Sequence, residues 1–123
     1  MTPVEAMLTP PLNAAIAEAD IKQSVAIHRA PDEKPPLGDG LPWRSFPDYA
    51  DGCAVGAAIV HDTEASVEIH YSFKDHPDAG YSDTLLLTLV FSAPGMPEVW
   101  RIDDIILAND QTFTGTLTAA FAE

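Results

Sequence analysis

Four histidines and one pair of adjacent aspartates are the residues of this sequence best suited to chemistry. The histidines are His28, His61, His70 and His76. None stands in a His-x-His or His-Glu-x-x-His spacing, the arrangements that bring two imidazoles to one metal. Only His61 and His70, on neighbouring predicted strands with Asp62 or Glu68 nearby, could approach each other. A zinc site needs three converging protein ligands. Solvated strand-face histidines are the ordinary reading, so no metal and no cofactor is expected. Asp103 and Asp104 offer acid–base chemistry. A carboxylate enclosed in an apolar cavity holds its proton more tightly, because desolvation disfavours the charged form, and can then serve as a general base. Asp104 is the candidate for that role. The structural alternative is that one aspartate pairs with Arg101 or caps a turn, hydrogen-bonded to backbone amides. No Ser-His-Asp order, Gly-x-Ser-x-Gly elbow or phosphate-binding glycine loop occurs. Cys53 is the single cysteine, which excludes an intrachain disulfide and a cysteine metal cage. It reads as a small buried hydrophobe.

The elements that would position these groups are strands. From Ser66 to Lys74 the sequence alternates: Val67, Ile69, Tyr71 and Phe73 on one side, Ser66, Glu68, His70, Ser72 and Lys74 on the other. That period marks a strand with one buried and one wet face. Asp75 to Gly80 supplies turn residues. Thr84 to Phe91 is apolar on both faces, the pattern of a central strand covered twice. Ser92 to Pro97 reads as a second connection. Glu98 to Leu107 places Trp100, Ile102 and Ile106 on one face, with Asp104 as an inward break in the pattern. A bulge near Asp103-Asp104 would restore the alternation by one slip. Before these, Cys53 to His61 reads as a strand of small residues, with Gly56 marking a bend or bulge. Its small side chains suit close approach by a helix or loop, or leave room for a cavity.

Thr2-Pro3-Val4-Glu5 and Thr9-Pro10-Pro11 are both helix starts. From Pro11 a stripe of Leu12, Ala15, Ile16 and Ala19 predicts a helix that is finished by Ala30, before Pro31. Charge interrupts the stripe between Asp20 and Ser24, and Val25, Ala26 and Ile27 could resume it with a register shift. Pro31 to Asp51 is an irregular wrapping loop with Trp43, Phe46 and Tyr49 as aromatic anchors on the sheet. Leu117 and Phe121, four apart, dock a short closing helix. The expected fold is α+β: an N-terminal helix packed on a curved antiparallel sheet of about four strands, then a short C-terminal helix.

At 123 residues the chain is one domain, 1–123, long enough to bury roughly two thirds of its unfolded surface. With 19 acidic and 6 basic residues the formal net charge is −13. That argues against nucleic acid and anionic membrane, whose phosphates need Lys and Arg. It suits a basic partner protein, or simply solubility. No 18-residue apolar run exists to span a membrane. No signal peptide is visible; Met1 fits a native start or a start codon on a mature secreted chain, with a periplasmic or secreted location slightly favoured.

The ending Trp100-Arg101-Ile102-Asp103-Asp104-Ile105, followed by a polar linker and a small helix containing Leu117, resembles that of an uncharacterised, often exported, bacterial family. So do Leu8-Thr9-Pro10 before a helix, and Gly38-Asp39-Gly40 with a following aromatic. That family looks like part of the nuclear transport factor 2-like superfamily, and the likeness covers most of the chain. It implies a cone-like sheet wrapped by helices. Ketosteroid-isomerase-like members of the superfamily use an Asp as base, but their accompanying Tyr and second Asp have no recognisable counterpart here. The superfamily spans enzymes, ligand binders, immunity proteins and dimerisation modules, so the likeness does not assign a function. The expected function is non-enzymatic binding at the sheet face or cone mouth. Trp43, His70, Trp100 and Asp104 are the candidate ligand-binding residues. The partner is a small ligand, a basic protein such as a toxin met by an immunity protein, or a second copy in a homodimer. The alternative is an isomerase- or dehydratase-like enzyme using Asp104.

Overall fold

The computed structural model describes residues 3–38, 41–43, 50–91 and 95–122. Helices α1 (Pro3–Ala6) and α2 (Pro10–Arg29) come first. The strands β1 (Gly52–His61), β2 (Glu64–Ser72), β3 (Tyr81–Val90) and β4 (Val99–Ile106) follow, and α3 (Phe113–Ala120) closes the chain. The four strands form one antiparallel sheet in the order β1-β2-β3-β4, so the expected α+β architecture stands. Phe46, Tyr49, Asp39, Gly40, Thr2 and residues 92–94 lie outside the described residues.

Local chemistry explains the helices. Thr9 caps α2, its hydroxyl accepting from Leu12 N at 3.3 Å, and Pro10 and Pro11 fix the first turn. The helix ends at Arg29, one residue short of Ala30. Leu12 and Ala19 are buried and Ala15 and Ile16 half-buried, as the stripe requires. The stripe does not resume: α2 continues unbroken and Ile21, Val25 and Ile27 face solvent. The second half of α2 extends beyond the core. Gln23 uses this stretch to hold the following loop, donating to Gly38 O at 3.1 Å and accepting from Leu37 N at 3.1 Å. Thr112 caps α3, accepting from Gly115 N at 3.0 Å.

Two bulges shape the sheet. Val55 faces Ile69 and Ala58 faces Val67, so Gly56 and Ala57 together oppose Glu68. Leu86 faces Asp104 and Leu87 faces Ile102, which leaves Asp103 as the extra residue. Both sites were anticipated from Gly56 and from the broken alternation. The second bulge has a consequence that simple alternation misassigns. Ile105, opposite Leu85, enters the core at 3 % exposure, and Ile106 moves to the other face.

The core gathers at one end. Leu8, Leu12, Ala19, Ile105, Leu107, Phe113 and Leu117 form it, with Ile16, Leu37, Leu41, Trp43, Leu85, Ile102 and Phe121 packed around it. It is therefore built between α2, α3 and the β3–β4 side of the sheet. Trp43 anchors its loop by stacking on Phe113 of α3, ring centroids 4.8 Å apart, and so packs on a helix instead of on the sheet. Two expectations change accordingly. β3 is half-buried from Thr84 to Val90, not covered on both faces. In β1 every residue from Cys53 to His61 is exposed, so among the described residues no helix packs on its small side chains, and Cys53 is not buried. Alternation in β2 holds in milder form: Val67, Ile69 and Tyr71 are half-buried and Glu68, His70 and Ser72 exposed. Beyond it Phe73, outside the strand, stacks tilted against Tyr81 at 6.2 Å.

Candidate functional site

The adjacent aspartates of the β4 bulge each hold a helix. Asp103 accepts from the Thr9 hydroxyl at 2.8 Å, so the residue that caps α2 is itself tied to β4. Asp104 accepts from Thr114 N at 3.1 Å, the Thr114 hydroxyl at 2.6 Å and Ile105 N at 2.9 Å. Thr114 lies in the first turn of α3, where unpaired N–H groups and the helix dipole favour an anion. By register Asp104 shares a face with Leu86, and Asp103 lines a groove of about 270 Å³ with Ile59, His61, Glu64, Ser66 and Leu86. This is the face away from the helical core, so Asp104 is not an inward carboxylate in an apolar cone. The one-residue slip of the bulge is the reason. Both oxygens of Asp104 are engaged in anchoring α3.

The other candidate residues are not brought to one place. His70 faces Ala54 and Ser82, its Nδ1 3.0 Å from Ser82 Oγ on the exposed face. Trp100 faces Leu89, on the opposite face of the sheet from Asp104, and is 41 % exposed. Trp43 is across the core, in a groove of about 270 Å³ with Val4, Leu8, Ile16 and Leu41. Register separates the two strand histidines as well: His61 faces Glu64 at one end of β2, and His70 faces Ala54 near the other. Among the described residues no group of three His, Cys, Asp or Glu could hold a metal ion.

What the fold does present is an asymmetry between its two sheet edges. The β4 edge is covered. Leu8 bridges Ile102, with Thr9 N donating to Ile102 O at 2.9 Å and Ile102 N donating to Met7 O at 2.7 Å. Thr112 bridges Ile106 on the same edge. The β1 edge has no such neighbour among the described residues. Along β1 no Lys, Arg, Asp, Glu or Pro interrupts Gly52 to His61, although charge and proline are the usual devices that blunt an exposed edge. Val55, Ile59 and Val60 are 69 %, 72 % and 59 % exposed. They alternate across both faces, Val55 and Val60 on the side of Val67 and Ile69, Ile59 on the side of Ser66. A ten-residue strand without Lys, Arg, Asp or Glu, whose outer edge has no partner among the described residues and which carries apolar groups on both faces, is a template for another strand.

Sequence reasoning saw β1 as a strand but missed that it is the edge with no neighbour among the described residues. The available signal was the absence of charge between Gly52 and Val60. It also passed over Asp83, 2 % exposed, because the strand was started at Thr84; the run Tyr81, Asp83, Leu85 was the clue. Thr9, partner of Asp103, was visible only as a helix-start residue, and Thr114, partner of Asp104, was not singled out at all.

The fold and this edge define the class: an α+β domain whose sheet, among the described residues, has one capped and one open edge. No family model, curated protein or solved structure matches this chain.

Proposed function

We propose that this chain is a small non-enzymatic binding protein that takes a partner strand on the free edge of its sheet. The observation that carries the proposal is β1, exposed from Cys53 to His61 and free of charge along its length. Main-chain groups on such an edge supply affinity, and side chains alternating across its two faces supply selectivity. Early helix, four-strand meander and two bulges support the further proposal that the domain is a small relative of the cone-like superfamily. The net charge of −13 weighs against nucleic acid as the partner. What weighs against the enzyme reading is the occupation of both Asp104 oxygens by Thr114 and Ile105.

The test compares the wild-type chain with Ile59→Lys, a charge placed on the open edge at a 72 % exposed position. Binding is followed by amide hydrogen exchange in β1. The expected result is protection of β1 amides on complex formation and loss of binding in the variant, with its circular dichroism unchanged. A variant that binds as well as wild type places the binding surface elsewhere.

A further inference from the structure

Within this reading, which it rests on, the structure assigns the partner: we infer that β1 pairs antiparallel with β1 of a second copy, joining two sheets into one of eight strands. The argument is one of self-complementarity. A two-fold pairing centred on the strand places Gly52 opposite His61 of the second copy, Cys53 opposite Val60, Ala54 opposite Ile59, Val55 opposite Ala58 and Gly56 opposite Ala57. Residues opposite one another in an antiparallel pair must project to the same face. In a regular strand this register would fail, because the partners differ by an odd number of positions. In β1 it succeeds, because the bulge at Gly56-Ala57 adds one residue at the midpoint. Facing β2, Cys53, Val55, Ala58 and Val60 share the face of Tyr71, Ile69, Val67 and Ala65. Gly52, Ala54, Ile59 and His61 share that of Ser72, His70, Ser66 and Glu64. Every proposed pair therefore stays on one face.

Electrostatics select the same strand. Two chains of net charge −13 repel over most of their surface, and β1 is an uncharged stretch along which they can approach. At each end of the ribbon Asp51 comes opposite Asp62 of the second copy, so the repulsion that remains is screened by salt. Ten paired residues make a contact about 33 Å long, and a band about 20 Å wide over both faces buries roughly 700 Å² per chain, close to the ~800 Å² of a standard interface. Gly56 and Ala57, two of the five Gly and Ala residues of the strand, sit on the axis.

Light scattering after size exclusion, on the whole chain at low and high salt, measures the mass. A doubled mass, with the dimer fraction rising with salt, is the expected result. Ile59→Lys returns the mass to that of one chain. Register is read with the single native cysteine. Val60→Cys brings a thiol opposite Cys53 of the second copy and gives a disulfide-linked dimer on oxidation. Ala58→Cys, two pairs displaced, lies beyond the Cα separation of about 7 Å that a disulfide tolerates and cross-links no faster than wild type. A single-chain mass at every salt and concentration overturns the pairing, as does cross-linking of Val60→Cys no faster than that of Ala58→Cys. If the chain is a monomer and Ile59→Lys still abolishes binding of a different protein, self-pairing falls and the edge-binding function stands.

Discussion

Removing the Asp104 carboxylate tests whether this residue anchors a helix or is free for chemistry. In Asp104→Ala the amide and hydroxyl of Thr114, now 3.1 Å and 2.6 Å from its oxygens, lose their acceptor, as does Ile105 N at 2.9 Å. A hydrogen bond to a charged group contributes about 1.5–3 kcal/mol, and an anion at a helix N-terminus about 0.3–1 kcal/mol more. Asp104 is only half-buried, so water compensates part of the loss, and a total of about 2–3 kcal/mol is expected. The damage spreads because α3 carries Phe113 and Leu117, 0 % and 4 % exposed, which loosen with it. For a domain of this size each kcal/mol moves Tm by about 4 °C, so a fall of about 10 °C follows. Urea titrations of Asp104→Ala, Thr114→Val and the double variant provide the assay. The two losses should overlap, with a coupling of about 1–2 kcal/mol between residues in direct contact. A variant within about 0.5 kcal/mol of wild type, or strict additivity with Thr114→Val, would refute the anchoring role and return Asp104 to the list of free carboxylates.

Three further outcomes follow from the same geometry. Thr9→Ala removes both the α2 cap and the hydroxyl that donates to Asp103, and should cost about 1–2 kcal/mol in chemical denaturation. Phe113→Ala empties a fully buried site against which Trp43 stacks; a loss of about 3–5 kcal/mol and altered tryptophan emission are expected. Ile59→Lys should change the unfolding free energy of the monomer by less than about 0.5 kcal/mol, which a denaturation series under dissociating conditions will measure.

The elements were legible for specific reasons. Val67, Ile69, Tyr71 and Phe73 announce β2 because side chains alternate across a pleat whatever covers it. Pro10 and Pro11 after Thr9 announce α2 because proline and a hydroxyl cap both act within one turn. Even the bulge at Asp103 could be read, since an acidic residue interrupting an apolar face asks for an extra position in the strand. Its effect could not: which of Ile105 and Ile106 lies inside depends on where the slip falls, and only the pairing with Leu85 and Leu86 decides that. The four candidate binding residues share no site because Trp43 follows the helices, Trp100 and Asp104 face opposite ways, and His70 lies farther along β2.

The order of helix and strands and the places where they break are properties of neighbouring residues, and the sequence determines them alone. The fate of β1 is different. Its small apolar residues read the same whether buried or bare, because composition records an affinity for cover and not its presence. Two helices, both anchored to the β4 bulge through Asp103 and Asp104, bury the β3–β4 side and leave β1 bare, and that is settled by packing across long separations in the chain.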